Sequence, residues 1–496
     1  MRIKEIPKEI NEIGSRLENA GFEAYIVGGC VRDLLLGKDP ADWDITTNAR
    51  PEEIQGLFPE SFYENTFGTV TVVTDSKKES LRHIEITPYR SEAGYSDRRH
   101  PDTVGFARTI EEDLGRRDFT VNVMAIKLES GISNIESDKK KFIVDLFGGQ
   151  KDLEDKLIRA VGNADERFKE DALRMVRAIR LAVCLDFDIE PRTAAAIMKH
   201  AGLLREVSAE RIRDEFSKII LSEDPARGME ILRELRILPH VLAELEEGYG
   251  VGQNKHHIYT VWEHNLKALQ HAASKKWSLD VRVAALLHDV AKPRSKRGDG
   301  PDSTFYGHDV LGAEMVRNML NRLKYQKQFV EKVSKLVRFH LFYYNVGEVS
   351  ESSVRRLIAK VGLEDMEDLI RVRVCDRIGS GVPKAEPYKL RHFRFLVEKL
   401  SRDPITVGML KIRGDDIMKI ANVPPGPKVG FMLYVLLDEV LDDPTKNQKT
   451  MLEERVRKLG AMSDEELERI SNQAKKKTLV LEEAEVGTIK QKHWVK

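Results

Sequence analysis

The sequence predicts an α+β protein: a small mixed sheet with helices in the N-terminal third, then wholly helical domains. Three observations predict it. Up to about residue 165, short runs rich in β-branched and aromatic residues alternate with turns. After Ala164, apolar residues recur three and four apart almost without interruption. Gly, Pro and polar residues cluster at only a few later points, where the helical pattern breaks.

In chain order, Ile6, Ile10, Ile13 and Leu17 mark an amphipathic N-terminal helix. Strands are predicted over Ala24–Val27, Trp43–Thr47, Thr69–Thr74 and His83–Tyr89. Breaks fall at Glu247–Asn254, Arg294–Ser303 and Gly379–Pro387. The 496 residues, at roughly 150 per domain, divide into a mixed head (1–165), a helical neck (166–247), a His-rich helical domain (248–380) and a helical C-terminal part (381–496).

Composition excludes several classes. Lys+Arg and Asp+Glu each number 81, so binding nucleic acid by bulk positive charge is out, while a local basic surface stays open. No apolar run approaches the ~20 residues of a membrane helix, so no membrane partner is expected, and MRIKEIPKEI carries no apolar signal segment. Three cysteines without a CxxC pair exclude a disulfide framework or a cysteine zinc site. The expected compartment is a reducing cytoplasm.

The head carries a candidate phosphoryl-transfer site. Residues 26–46 read IVGGCVRDLLLGKDPADWDIT. A strand runs into Gly28-Gly29 and then a helix beginning near Val31. Glycines at such a turn let backbone amides approach phosphate oxygens, and the helix N-terminus favours their charge. Arg32 in the first turn can add a direct phosphate contact. Asp42 and Asp44, two apart in one predicted strand, point to one face. Paired carboxylates there suit Mg²⁺, and two such ions, ~3.5–4 Å apart, can serve an in-line displacement. Glu85 in HIEITPYR is a candidate third carboxylate. Alone, a Gly-Gly is more often a turn and an Asp-x-Asp more often a solvated edge; the ordered set is far more specific.

Two more segments narrow the chemistry. Arg116–Asn122, RRDFTVN, offers cationic and amide donors for a triphosphate and ribose, and otherwise reads as a capped, salt-bridged helix start. Glu170–Arg180, EDALRMVRAIR, places Asp171 and Arg174 three apart on a predicted helix, hence neighbours. The plainer reading is a surface ion pair. The functional one is base selection: cytosine and adenine each show an amine donor beside a ring-nitrogen acceptor, which an Asp and an Arg match, while guanine and uracil put a carbonyl where the amine would be. Arg177 and Arg180 drift around the helix and are assigned to phosphates or to holding the selecting pair.

GGCVRDLLLGKDPADWDI, RRDFTVN and EDALRMVRAIR, in that order, resemble the class II tRNA nucleotidyltransferases, the CCA-adding enzymes. The similarity extends through AERIRDEF at Ala209–Phe216. It implies a polymerase-beta-like head that adds C, C and A to tRNA from CTP and ATP without a nucleic-acid template. It further implies metal ligands at Asp42 and Asp44, Glu85 in support, and Gly28, Gly29, Arg32, Arg117, Asp118 and Asn122 around the nucleotide. Asp171 with Arg174 is the implied amino-acid template. The chain departs from the family at Val123, where alanine is usual, and at Asp186, where glycine is usual. The stretch Tyr89–Phe106 looks like the flexible loop of full CCA enzymes. Bacterial poly(A) polymerases share the head but carry a basic GRRF-type signature after the aspartates, where this chain reads NTFGTVTVVT. A-adding enzymes and poly(A) polymerases are the nearest alternatives. Protein-modifying uridylyltransferases share GG…DxD and a metal domain but should lack RRDFTVN and EDALRMVR. A spent, non-catalytic RNA binder would not need Asp42, Asp44, Glu85 and Asp171.

In the third domain His264, the doublet His288-Asp289 and Asp376 stand out, with His308 and His340 between them. Imidazole and carboxylate together suit a divalent transition metal better than Mg²⁺. Adjacent helical residues point about 100° apart, which lets both touch one ion. The four in this order resemble the all-helical HD superfamily of metal-dependent phosphohydrolases, which implies attack of metal-bound water on a phosphate ester, with RNA ends as targets.

The C-terminal part is read as holding tRNA and not DNA. Lys389, Arg391, Arg394, Lys399 and Arg402 fall on one predicted helix, and alone read as a solvated face. Val423–Gly430 with Lys428, feeding an apolar helix, is a candidate phosphate cradle. Lys475-Lys476-Lys477 is expected to be a disordered or grasping tail.

Overall fold

The run Ala24–Val27 (β1) is buried at all four positions, which demands neighbours on both sides. The computed structural model supplies them. It describes residues 4–63, 68–93, 103–129, 142–254, 258–382, 385–401 and 407–495. Beside β1, the head contains β2 (Asp44–Thr47), β3 (Ser61–Tyr63), β4 (Val70–Val73), β5 (His83–Pro88), β6 (Arg90–Ala93), β7 (Thr103–Phe106), β8 (Ala125–Lys127) and β9 (Ile143–Val144). Seven of these form one sheet in the order β3-β4-β5-β2-β1-β8-β9. It is mixed: β1 runs antiparallel to β2 and β8, while β2 and β5 are parallel. Parallel neighbours put Asp44 directly beside Glu85.

The N-terminal helix is Lys8–Asn19 and buries Ile10, Ile13 and Leu17. Pro7 caps it, so Ile6 lies ahead of the helix and not on its buried stripe. The four predicted strands are present, with one correction that touches the site. Strand β2 starts at Asp44, and Asp42 lies in the bend before it. The loop read at Tyr89–Phe106 is in part an antiparallel ribbon, β6 paired with β7; its residues 94–102 lie outside the described set.

The chain divides into two compact units, Met1–Arg338 with Cys375–Val382, and Phe339–Val374 with Pro383–Lys496. In the first, helices follow the head from Ala164 onward. They include Leu173–Leu185, Ala209–Leu221, Val261–Ser274 and Leu279–Leu287. The second is helical. Its Pro427–Asp442 and Asp464–Lys492 helices pack together over a core that includes Met432, Leu436, Val456 and Leu467.

Candidate active site

The turn after β1 is shaped by Gly28. Its φ of +83° belongs to the region glycine tolerates best. A Cβ there would sit 3.2 Å from Asp44 Oδ2 and 3.5 Å from Arg117 Nη1. The backbone therefore passes closely by an acid and a base that the rest of the head brings together. Gly29 opens the Gly29–Leu35 helix, two residues earlier than the spacing predicts.

Asp44 and Glu85 share a face as strand neighbours. Asp42 reaches the same place from the bend, not by strand alternation. Burial pushes the Asp44 carboxyl up to about 6, the charges of Asp42 and Glu85 push the same way, and Arg117 opposes them. A buried carboxyl whose ionisation its acidic neighbours disfavour belongs to an oxygen-only site that a hard divalent cation relieves. The residues present thus fit Mg²⁺.

The cations around this face are held from behind. Asp113, fully buried, takes Arg116 at 2.7 Å and Arg117 at 3.0 Å. Arg32 donates to Asn122 Oδ1 at 2.7 Å and pairs with Asp33 at 2.8 Å. Asp118 pairs with Arg177 at 2.6 Å and accepts the Phe119 N–H at 2.9 Å. That carboxylate ties RRDFTVN to the Leu173–Leu185 helix.

Asp171 and Arg174 are neighbours, the Arg174 N–H donating to the Asp171 carbonyl at 3.1 Å, but the helical placement of Asp171 needs correction and their side chains take other partners. Asp171 is not on the helix. It lies just before it, where its Oδ1 accepts the Leu173 N–H at 3.0 Å. Its partner is Arg211, which donates to Oδ1 at 3.2 Å and Oδ2 at 2.7 Å. Arg174 donates to Glu170 at 2.8 Å and to the Arg116 carbonyl at 3.1 Å. This last bond ties the neck helix to the residue next to Arg117, at the acidic face. Arg180 donates to Glu215 at 2.5 Å. Asp113, Arg211 and Glu215 were not singled out from sequence. Asp113 lies three and four residues before the paired arginines, and Arg211 and Glu215 are four apart in AERIRDEF, so helical spacing could have marked both sets.

The second site lies in the helices after the neck. His264 stands on Val261–Ser274, which a Thr260–Glu263 capping box starts. His288 follows Leu279–Leu287 directly, and Asp376 lies on Leu363–Gly379. The ligand atoms of His264, His288, Asp289 and Asp376 all lie within 4.8 Å of one another, and all four residues are buried. The two imidazole Nε2 atoms are 2.8 Å apart, with Asp289 Oδ2 at 3.1 and 3.3 Å from them. His288 Nδ1 faces the Ala285 carbonyl at 2.8 Å, which makes it an N–H and turns Nε2 toward His264 and Asp289. Burial opposes a charge on His288, yet Asp289 and Asp376 outweigh it and push its pKa up to about 10. So concentrated a negative field, lined with imidazole nitrogens, fits a divalent transition metal. His308 reaches the other oxygen of Asp289 at 3.2 Å, and Lys292, which sequence reading passed over, lies 2.5 Å from Oδ2. His340 belongs to the second unit.

In that second unit, the basic helix Tyr388–Ser401 is largely paired within the protein. Arg394 pairs with Glu367 and Glu386 at 3.0 Å, and Lys399 with Glu351 at 2.8 Å. Arg402 lies outside the described residues. Lys428 donates to the Met462 carbonyl and pairs with Asp464 at 2.7 Å, so the predicted cradle has its lysine engaged. The triple lysine is no disordered tail: it lies in the Asp464–Lys492 helix, with Lys477 on Asp442 at 2.7 Å and Lys475 over Tyr434.

Three families match the chain in order: the Poly A polymerase head domain over residues 24–159, the probable RNA and SrmB-binding site of polymerase A over 186–248, and the HD domain over 261–378. A CCA-adding enzyme of Lactococcus lactis is 31% identical over 463 residues, spanning 92% of this chain and all of that one. That of Enterococcus faecalis is 31% identical over 91% of this chain and 97% of its own. The crystal structure of the Bacillus stearothermophilus CCA-adding enzyme in complex with CTP has a TM-score of 0.56 at 27% identity, covering 91% of this chain and 99% of that one. Among the described residues no helix is long and apolar enough to cross a membrane. With an acidic head, a neck docked on it and an HD cluster in one chain, the protein belongs to the CCA-adding enzymes, class II tRNA nucleotidyltransferases, and carries an HD domain.

Proposed function

We infer that the protein adds C, C and A to the 3′ end of tRNA from CTP and ATP, choosing each base with its own side chains. The observation that carries this reading is the bond from Arg174 to the Arg116 carbonyl. It puts the candidate base reader one residue from Arg117, which faces Asp44. Asp42 and Asp44 would hold Mg²⁺, with Glu85 beside Asp44 as the supporting carboxylate. Bound there, Mg²⁺ would supply activation of the attacking 3′-hydroxyl and charge stabilisation for the leaving pyrophosphate. Arg117, steadied by Asp113, and Arg32, steadied by Asn122, neutralise triphosphate oxygens. Asp171 accepts from the exocyclic amine of C or A and repels the carbonyl of G or U, while Arg174 donates to the ring nitrogen. Asp118, Arg177 and Arg180 brace these groups through the ion pairs described. The three free cysteines accord with a reducing cytoplasm.

The test is incubation of the protein with tRNA lacking its 3′ end and each labelled NTP. Incorporation of CTP and ATP is expected, with UTP and GTP refused; no labelling by any NTP rejects the reading. Asp42→Ala should abolish incorporation while tRNA binding persists, and Asp171→Ala should loosen base choice.

The HD cluster supports a second activity in the same chain, removal of a phosphate from an RNA end. His264, His288, Asp289 and Asp376 would hold the metal, which would supply a nucleophilic water. A 3′- or 2′,3′-cyclic phosphate blocks the hydroxyl that the head must extend, so end cleaning and end building are chemically coupled. Equal phosphatase and cyclic phosphodiesterase activity in wild type and His288→Ala sinks this assignment.

A further inference from the structure

Arg282 lies in the Leu279–Leu287 helix of the HD domain and is 5% exposed. Its Nε donates to the Trp277 carbonyl at 2.9 Å, and its Nη1 donates to the carbonyls of Ile220 and Ser222, each at 2.9 Å. All three acceptors are backbone oxygens. Burial depresses its pKa, with no carboxylate set against the loss of water. Burying a guanidinium in this way is costly unless something negative replaces the solvent. Here that something is the end of a helix. Ile220 belongs to the last turn of Ala209–Leu221, and Ser222 is its cap. Those final carbonyls have no intrahelical partner and carry the negative end of the macrodipole.

The helix that Arg282 closes is the one that clamps Asp171. Arg211, near its start, clamps Asp171 through both carboxylate oxygens. Glu215, one turn further on, accepts Arg180 from the Leu173–Leu185 helix. A helix pinned at its C-terminus by a rigid fork can neither slide nor rotate without breaking bonds to two carbonyls at once. The Trp277 carbonyl fixes the same guanidinium to the HD side. The line of contacts therefore runs from the HD helix through Arg282 and the Ala209–Leu221 helix to Asp171.

We propose that Arg282 is a positioning residue for nucleotidyl transfer: the HD domain, through this buried fork, sets where Asp171 stands and so takes part in base choice. The HD domain then has a role in the head's reaction independent of any hydrolysis. This rests on the reading of Asp171 as base reader.

The test uses the full chain and tRNA lacking its last nucleotides. kcat and KM are measured for CTP and ATP, and incorporation of UTP and GTP is followed, in wild type, Arg282→Met, Arg282→Lys and Asp171→Ala. Arg282→Met should raise UTP and GTP incorporation relative to CTP about tenfold, the scale of one displaced charged hydrogen bond, and raise the KM for CTP more than it lowers kcat. Arg282→Lys, which keeps the charge but not the fork, should fall between Met and wild type. If Arg282→Met does not fold, Arg282→Lys alone decides by the same ratio. Loss of rate by one common factor for every NTP, with base choice intact, makes Arg282 merely structural and overturns the proposal. If Asp171→Ala loosens selection and neither Arg282 variant does, the proposal alone fails. If Asp171→Ala also leaves selection untouched, the reading beneath it fails as well.

Discussion

Asp118 shows how a single carboxylate can tie two segments of a site together. It is 8% exposed and bonded to Arg177 and to the Phe119 N–H. Burial works against its charge, but Arg177 and Arg174 outweigh burial and hold the carboxyl below its usual range. A carboxylate depressed in this way stabilises the fold above its unfolded-state pKa of about 4, and the contribution is lost as pH falls through the lower folded value. Asp118→Asn keeps the shape and removes the charge. It should lower stability at pH 7 by about 2 kcal/mol, the scale of a hydrogen bond to a charged group. The deficit should begin to shrink as the pH is taken below about 4 and vanish below the lower folded value, where wild type has lost the same charge. Thermal unfolding of both proteins at pH 7 and in acid checks this, and a deficit unchanged by pH removes the ion pair from the account. Asp186 is a second residue with local meaning. It stands at φ +59°, in the left-handed turn that ends Leu173–Leu185, and it reaches Arg227 at 3.0 Å. A short polar side chain tolerates that backbone better than most.

At the scale of elements, the HD site depends on how near two helices can come. A Cβ on Gly379 would meet the His264 carbonyl oxygen at 2.7 Å and His264 Nδ1 at 3.0 Å. Gly379 lies one turn beyond Asp376, so its missing side chain is what lets Asp376 approach the imidazoles. Gly379→Ala should push the helix back and reduce the transition metal bound per chain, read by elemental analysis beside an unchanged helical circular-dichroism signal. Metal retained at the wild-type level means the helix can retreat without moving Asp376.

The same scale explains what could be read from sequence. β1, β2, β4 and β5 were legible because β-branched runs bounded by turns have few other uses. β3, β8 and β9 are two or three residues long and offer no alternation to detect. β6 and β7 sit in a charged stretch whose pairing is a matter of chain reversal, not apolar pattern. Gly28, Asp44 and Glu85, which the sheet brings side by side, and His288 and Asp289, which share one cluster, were legible from residue type and order. The Asp171–Arg211 clamp was not, since its partners lie 40 residues apart and spacing rules speak only of neighbours. Asp171 and Arg174 stay backbone neighbours, but Asp171 sits off the helix for a physical reason: an aspartate before a helix is drawn to the free N–H groups of the first turn, and Asp171 takes that of Leu173.

For the whole molecule, the balance of 81 cations against 81 anions sets how tRNA can be held. A neutral chain gains little from long-range attraction, so its grip on tRNA must come from short-range phosphate contacts. Many cations on the helices of the second unit already face carboxylates, as Arg394 faces Glu367 and Lys399 faces Glu351. A phosphate that recruits one of them must displace a protein carboxylate, which reduces the net gain per contact but still releases counterions from the RNA. Each neutralised phosphate contributes about 0.7–0.9 to the slope of log affinity against log salt. Even about five such contacts should weaken binding by at least a hundredfold between 50 and 200 mM salt. The measurement is tRNA affinity across that range at fixed Mg²⁺, since the divalent ion competes for the same phosphates. The slope also tests the pairing itself: Glu367→Gln frees Arg394 from one carboxylate, and should tighten tRNA binding at low salt if that helix touches the RNA backbone. Affinity indifferent to salt places the grip on bases or shape instead of phosphates.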